Sequence, residues 1–243
     1  MERIVKTRQS MSALENINLH NIKHANIELY IKKEIEKQFP NNVFTQREYL
    51  YYLYSNKNEP QIIQAKDNLL KNPTVHYILD RKVEDSNNPF DEKQNDTADI
   101  LVVKNNLYEI IDIKTRNLSK SAQPPNIISA YKLAQVCAKM IDNEEFDSFT
   151  INYFEVDWEL EKEKLVCKNA HFANLFKCKP DNLYINWAAA MQLQFHVCDL
   201  DQTFEGNMED WAKTYLKHFV TQAKKRANDM ITKFVKPFEK YLK

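Results

Sequence analysis

The sequence predicts a single α/β (α+β) domain in which helices flank a mixed central β-sheet. Residues 97–115 contain two runs of β-branched and apolar residues on either side of Asn105-Asn106, the pattern of a β-hairpin. Residues 149–156 alternate in the manner of a strand, whereas much of the remaining chain has the three-to-four-residue apolar spacing of amphipathic helices. With 243 residues, the chain is long enough to bury one sizeable core.

The N-terminal part of the chain is mainly helical in pattern. Helices are predicted over residues 27–39, 48–54 and 61–70. The first has an apolar stripe formed by Ile27, Tyr30, Ile31 and Ile35. It is expected to end at Pro40 and the third near Pro73, because proline cannot continue a helix.

The turn of the predicted hairpin fixes its register. Asparagine tolerates the left-handed dihedral angles of a two-residue hairpin turn, so Asn105-Asn106 would pair Lys104 with Leu107. Successive pairs then follow along both strands. This register predicts which side chains farther down the hairpin share a face, because side chains alternate between the two faces of a strand.

Three charged residues fall on one face of this hairpin. Asp99 would lie directly opposite Asp112, with Lys114 on the same face two residues later. Opposed carboxylates repel, and a divalent cation between them would remove the repulsion. Such a trio suits Mg²⁺-assisted phosphodiester hydrolysis, in which the lysine orients or deprotonates a water. Asp-x-Lys also occurs by chance in many chains, so a structural role stays open.

Beyond the hairpin, the predicted elements are a helix over residues 127–141, the strand over 149–156, an extended region over 182–197 and a helix over 208–235. Asn126 is expected to cap the first of these helices, and Pro237 to break the second. The inward face of the last helix would consist of Trp211, Tyr215, Phe219, Ala223, Ala227, Ile231 and Phe234.

Composition excludes several protein classes. A single glycine, Gly206, is too few for phosphate-binding loops or dinucleotide folds. The 34 basic and 34 acidic residues balance, yet residues 113–140 contain five basic residues and no acidic one, which favours phosphate contacts there. Four cysteines without a CxxC pair, and no signal sequence, predict a cytoplasmic protein without structural zinc. No apolar stretch approaches the ~18 residues of a membrane span.

The pattern of Asp99 followed by Asp112-Ile113-Lys114 resembles the catalytic core of the PD-(D/E)xK nucleases. Longer strings, such as EKQNDTADILVV and DIKTRNLSKSAQPPNIISAYKLAQVCAKMID, are similar to the HincII-like type II restriction endonucleases. The likeness covers roughly residues 91–242 and thins out before residue 90. Ala98 stands where the wider superfamily often has proline, which should leave the metal site intact.

This resemblance implies a restriction-endonuclease-like core that acts on double-stranded DNA with Mg²⁺. Asp99 and Asp112 would hold the ion with help from the Ile113 carbonyl, and Lys114 would act on the attacking water. HincII-like enzymes recognise GTYRAC and cut it in the centre, leaving blunt ends with 5′-phosphates. The resemblance also implies a homodimer that matches a palindromic target, and a cognate DNA methyltransferase that protects the host genome.

The length of the chain and the order of its predicted elements favour one domain with three parts. Residues 1–243 would form one domain: a mainly helical part (1–90), a core for catalysis and DNA reading (91–205) and a long C-terminal helix (206–243).

DNA contacts are implied for particular side chains. Gln123, beside Ala122, would wedge against base steps, while Asn126 and Asn186 would contact base edges, where an amide offers both a donor and an acceptor. Further candidates, for phosphate contacts, are Thr115, Ser119, Lys120, Ser121 and Tyr184. Glu28 would assist the active site, as a glutamate does in some relatives. The alternatives are that Asn126 only caps a helix and that Asn186 is only a strand residue.

Two other functions stay open at this point. A structure-selective or repair nuclease of the same superfamily would share the charged trio but cut branched or damaged DNA. A non-catalytic DNA-binding protein would keep the trio without using it. Digestion of a plasmid into discrete bands would argue against the first, and the absence of any metal-dependent cleavage would favour the second.

Overall fold

A computed structural model of the chain describes residues 27–54, 59–79, 97–120, 123–161 and 164–242. The helices are α1 (Ile27–Gln38), α2 (Gln46–Tyr54), α3 (Pro60–Leu70), α4 (Pro73–Leu79), α5 (Ala130–Asp142), α6 (Met208–Met230) and α7 (Lys236–Glu239). The strands are β1 (Val43–Phe44), β2 (Ile100–Lys104), β3 (Leu107–Asn117), β4 (Asn126–Ser129), β5 (Phe149–Glu161), β6 (Lys164–Asn174), β7 (Ile185–Asn186) and β8 (Gln192–Gln194).

A five-stranded mixed sheet with the order β1-β2-β3-β5-β6 forms the centre of the fold. Strands β3 and β5 are parallel, and the other neighbours are antiparallel. Helix α5 lies in the connection between the two parallel strands, which require a crossover of this kind. A second sheet, β4-β8-β7, is antiparallel. The predicted mixed sheet flanked by helices is confirmed.

Each face of the central sheet has its own core. On one face, Ile31 and Ile35 of α1 pack against apolar side chains that include Ile111 and Phe154. This confirms the apolar stripe predicted for the first helix. The other face packs against α5 and the start of α6, where the buried Trp211 stacks on Tyr215 at a ring distance of 5.4 Å. The sheet that carries the charged trio is therefore held between two apolar layers.

The β2–β3 hairpin forms as its turn residues predict. Asn105 and Asn106 have φ angles of 51° and 62°, and Lys104 pairs with Leu107. The register continues without a bulge to the pair of Ile100 and Ile111. Two consecutive left-handed asparagines suit the twist of the flanking strands, so the turn itself sets the register.

The helix after the Pro124-Pro125 connection does not begin where the sequence predicted. It begins at Ala130, and its cap is Ser129, whose hydroxyl accepts the Lys132 N–H, rather than Asn126. Residues Asn126–Ser129 instead form β4, which pairs with β8. The apolar residues in this segment suit a strand as well as a helix, and pairing with a distant strand decides between them.

Two further element boundaries differ from the prediction. Pro73 begins helix α4 instead of marking only the end of the helix before it, since proline is well tolerated in the first turn of a helix. The extended region predicted over residues 182–197 is divided into β7, a turn and β8. In that turn, Ala190 and Met191 adopt left-handed φ angles of 51° and 57°.

The C-terminal helix is buried over only its first part. Trp211 and Tyr215 are fully buried, whereas Ala227, Ile231 and Phe234 are exposed, so their predicted inward orientation is wrong for this chain in isolation. The α-helix ends at Met230 and continues as a π-helical turn, Ile231–Val235. Pro237 then lies in the first turn of α7, so it does not end the helical segment. None of the helices in the described part of the chain has both the length and the hydropathy of a membrane span.

Candidate active site and DNA-reading surface

Asp99 and Asp112 meet at the open end of the β2–β3 hairpin. Asp99 directly precedes β2, and its backbone N–H donates to the carbonyl of Ile111 at 3.0 Å. Its carboxylate accepts the backbone N–H of Ile113 at 2.7 Å, and the carboxyl groups of Asp99 and Asp112 are in hydrogen-bond contact. The hairpin register thus brings together the two acidic residues that the sequence singled out.

Lys114 completes this group. Its Nζ donates to Oδ1 of Asp112 at 2.8 Å, and both side chains are largely buried. Burial raises the pKa of Asp112 to about 8; Asp99 adds to the increase, and Lys114 opposes it. The single ammonium does not compensate for the burial of Asp112 beside a second carboxyl group.

These residues fit a divalent cation. The carboxylates supply hard oxygen ligands, and the charge of an ion would favour the ionised form of Asp112 that the protein alone disfavours. Over the described ranges, no group of three or more His, Cys, Asp or Glu side chains is arranged to hold a metal. A site with two carboxylates leaves positions for water and phosphate oxygens, as Mg²⁺ sites at phosphate esters do.

Glu28 lies within electrostatic range of the same group. It occupies the first turn of α1, and its pKa is raised by burial and by Asp99, and lowered by Lys114. The sequence indicated Glu28 only through the family resemblance. The structure places it near enough to influence the charge of the candidate metal site.

Glu155 is a second buried carboxylate, on β5 next to β3. It pairs with Lys114 in the parallel β3–β5 register and is fully buried. One of its oxygens contacts Nδ1 of His196 at 2.7 Å, and the other accepts the backbone N–H of Val197 at 2.6 Å. Sequence reasoning missed this residue, although a glutamate within an otherwise apolar strand is a signal that it needs a buried partner.

The small sheet brings together the two asparagines that were expected to contact bases. Asn126 on β4 is exposed, and Asn186 on β7 is half-buried. Gln194 on the central strand β8 lies between them and bonds to both. Gln194 was missed because the pairing of three short strands is not visible in the sequence. Tyr184 precedes β7, and its side chain is 63% exposed.

The remaining candidates lie at the end of β3 and after it. Thr115, Ser119, Lys120 and Gln123 are exposed along the end of β3 and the connection after it. Ser121 and Ala122 lie outside the described residues. These exposed candidates follow Lys114 closely in the chain.

Comparison with known proteins identifies the family of the chain. The family model "Restriction endonuclease HincII" matches residues 12–242. The chain belongs to this family. The type II restriction enzyme HindII of Haemophilus influenzae (strain Rd) is 60% identical over 222 residues, which cover 88% of this chain and 85% of that protein. The type II restriction enzyme HincII of Haemophilus influenzae is 59% identical with the same coverage.

Membership of the HincII family establishes the activity. The chain is a type II restriction endonuclease, which hydrolyses phosphodiester bonds of double-stranded DNA at specific sequences. Enzymes of this class generally need a divalent metal ion, in agreement with the composition of the site. The match begins at residue 12, so the similarity extends well into the N-terminal third, farther than the strings from residue 91 onward indicated.

Proposed function

We propose that this enzyme uses Mg²⁺ and that Asp99, Asp112 and Lys114 carry out its chemistry. The observation that supports this assignment is the contact of two carboxyl groups with each other and with one ammonium at the end of a hairpin. A carboxyl group as buried as Asp112 is disfavoured as an anion unless a cation accompanies it. The arrangement therefore suits a protein that binds its metal together with DNA.

Each residue has a distinct task in this proposal. Asp99, held in place by the Ile113 N–H, and Asp112 would hold Mg²⁺ together with the Ile113 carbonyl. When bound, the ion polarises the phosphoryl group and acidifies a water. Nζ of Lys114, 2.8 Å from Asp112, can donate to a phosphate oxygen or, once deprotonated, accept a proton from the attacking water. Glu28 would adjust the charge around this group.

DNA recognition is assigned to the small sheet and the connection before it. Asn126 and Asn186 would contact base edges, and Gln123 would press against a base step, with Ala122 beside it. Phosphate contacts are assigned to Thr115, Ser119, Lys120, Ser121 and Tyr184. We propose the family's target, GTYRAC, cut in its centre to blunt ends with 5′-phosphates.

A homodimer follows from the proposed target. Cutting both strands of a palindrome at equivalent bonds requires two active sites related by a twofold axis. Exposed large apolar side chains such as Ile231, Phe234 and Phe238 in the C-terminal segment are typical of protein–protein contacts. A cognate methyltransferase would protect the same sequence in the host genome.

The test is cleavage of a plasmid that contains one GTYRAC site, with the ends mapped. Asp112→Ala should abolish cleavage in Mg²⁺ and retain specific binding in Ca²⁺. Asp142→Ala, which changes an exposed aspartate at the end of α5, is the matched control and should cut as the wild type does. An Asp112→Ala enzyme that cuts at the wild-type rate would refute the assignment.

A further inference from the structure

Gln194 connects the two asparagines through a continuous set of amide hydrogen bonds. Its Nε2 donates to Oδ1 of Asn126 at 2.7 Å, and its Oε1 accepts from Nδ2 of Asn186 at 2.8 Å. The pairing of the small sheet explains these contacts. Asn126 lies directly opposite Gln194, and Asn186 is its diagonal neighbour, paired with Gln192.

The backbone determines the direction of these hydrogen bonds. Oδ1 of Asn186 accepts the backbone N–H groups of Ala188 and Ala189 at 3.0 and 3.2 Å. Because a backbone N–H can only donate, Asn186 must present its oxygen to the turn and its Nδ2 to Gln194. Gln194 then accepts with Oε1, and its Nε2 must donate to the oxygen of Asn126. One turn therefore fixes the orientation of three side-chain amides.

With the hydrogen bonds oriented in this way, both asparagines have N–H groups that can contact DNA. The oxygen of Asn126 is engaged by Gln194, and over the described residues nothing accepts from its Nδ2. Asn186 uses one N–H for Gln194 and has a second to offer, while its oxygen is engaged twice. Both asparagines thus retain N–H donors, which suit the O6 and N7 acceptors of guanine or the N7 of adenine in the major groove.

We propose that Gln194 is a positioning residue for specificity: it passes the orientation of the Asn186 amide, which the turn fixes, on to Asn126, so that both asparagines present N–H donors to acceptor-rich purine edges. This inference rests on the proposed base contacts of the two asparagines. Gln194 itself need not touch DNA. Without it, the Asn126 amide could rotate, whereas the turn would still hold Asn186. An Asn126 amide that presents its oxygen would favour the N6 amino group of adenine or the N4 amino group of cytosine instead.

Substitutions at Gln194 separate this role from simple support of the sheet. In a Gln194→Glu variant, the introduced carboxylate, ionised at pH 8, still accepts from Asn186 but cannot donate to Asn126. Discrimination should then fall about tenfold at the base pair contacted by Asn126 and persist at the one contacted by Asn186. Gln194→Met, which removes both bonds and keeps the volume, should also reduce discrimination at the Asn126 position, while the turn keeps Asn186 oriented.

The measurement is kcat/KM on duplexes that carry each single base-pair change in the site. For each variant, the kcat/KM values of two duplexes are divided by each other. Both values scale with the same concentration of folded enzyme, so a variant that is partly unfolded gives the same ratio. Asn126→Ala and Asn186→Ala identify the base pair that each asparagine contacts. Gln202→Met is the matched control, because Gln202 also forms two hydrogen bonds, to the Phe172 carbonyl and the Asn174 N–H, away from the small sheet. It should leave every ratio unchanged.

The outcomes are distinct. The proposal is supported if Gln194→Glu loses discrimination at the base pair contacted by Asn126 but not at the one contacted by Asn186, and if cleavage shifts toward sites with an adenine or cytosine amino group at the Asn126 position. A merely structural defect would not affect one base pair alone. The proposed role of Gln194 is overturned if both Gln194 variants keep the wild-type kcat/KM ratios, or if Gln194→Glu loses discrimination equally at both positions. The proposed base contacts of the asparagines would still stand. Wild-type ratios in Asn126→Ala and Asn186→Ala overturn the base contacts, and this inference with them.

Discussion

Replacing Glu109 with glutamine should stabilise the protein at alkaline pH. Glu109 on β3 is only 8% exposed, and Nδ2 of the fully buried Asn152 donates to its Oε1 at 2.6 Å. Within the described residues, Oδ1 of Asn152 is buried without a hydrogen-bond donor. A protonated Glu109 carries such a donor, and burial raises its pKa to about 7. A glutamine would supply acceptor and donor without a charge.

The magnitude follows from the pKa. A rise from 4.5 to about 7 corresponds to about 3 kcal/mol, at about 1.4 kcal/mol per pKa unit. Because the folded state keeps a proton that the unfolded state releases, wild-type stability decreases as the pH rises from about 4.5 to about 7. Glu109→Gln should therefore be about equal to the wild type at pH 4 and about 3 kcal/mol more stable at pH 8. At about 2–4 °C per kcal/mol, the Tm rises by roughly 6–12 °C.

Thermal and urea unfolding between pH 4 and pH 8 measure this difference. Glu205→Gln, at an exposed glutamate, is the matched control and should follow the wild-type curve. The reasoning is refuted if Glu109→Gln is no more stable than the wild type at pH 8, or if its advantage is the same at both ends of the pH range.

Three further predictions concern other contacts. Glu28→Gln should slow cleavage about tenfold and raise the half-saturating Mg²⁺ concentration, because groups next to metal ligands tune affinity and activity; wild-type Mg²⁺ dependence in single-turnover cleavage would contradict this. Ser129→Ala should lower the free energy of unfolding by about 1 kcal/mol through loss of the α5 cap, whereas Ser129→Asp should retain it, as thermal unfolding will show. Glu155→Ala should cost about 3–5 kcal/mol in urea unfolding, because His196 and the Val197 N–H lose a buried partner.

The parts of the fold that depend on local chemistry could be predicted from the sequence. Asn105 and Asn106 adopt the left-handed turn that asparagine tolerates, and the register of that turn brings Asp99 to Asp112. The apolar stripe of α1 is likewise a property of one segment. In each case, the deciding interaction lies between residues close in the chain, so pattern and propensity suffice.

The parts that depend on distant partners could not be predicted in this way. Asn126 begins a strand rather than capping a helix because β8, far along the chain, pairs with it. The same pairing places Gln194 between the two asparagines. The apolar row of the C-terminal helix was predicted to face inward because periodicity shows which residues share a face but not whether anything covers it. Ile231 and Phe234 share such a face and are exposed in the single chain.

Gln194 lies close in the chain to a buried contact with β5. Two residues after it, His196 contacts Glu155, and the next backbone N–H, that of Val197, donates to the same carboxylate. Glu155 is paired in register with Lys114. Catalytic groups must be held to within about 0.5 Å of their productive positions, which flexible loops rarely achieve. The buried Glu155 carboxylate ties the segment that follows β8 to β5, the strand that pairs with Lys114, so it connects the small sheet to the sheet that carries the charged trio.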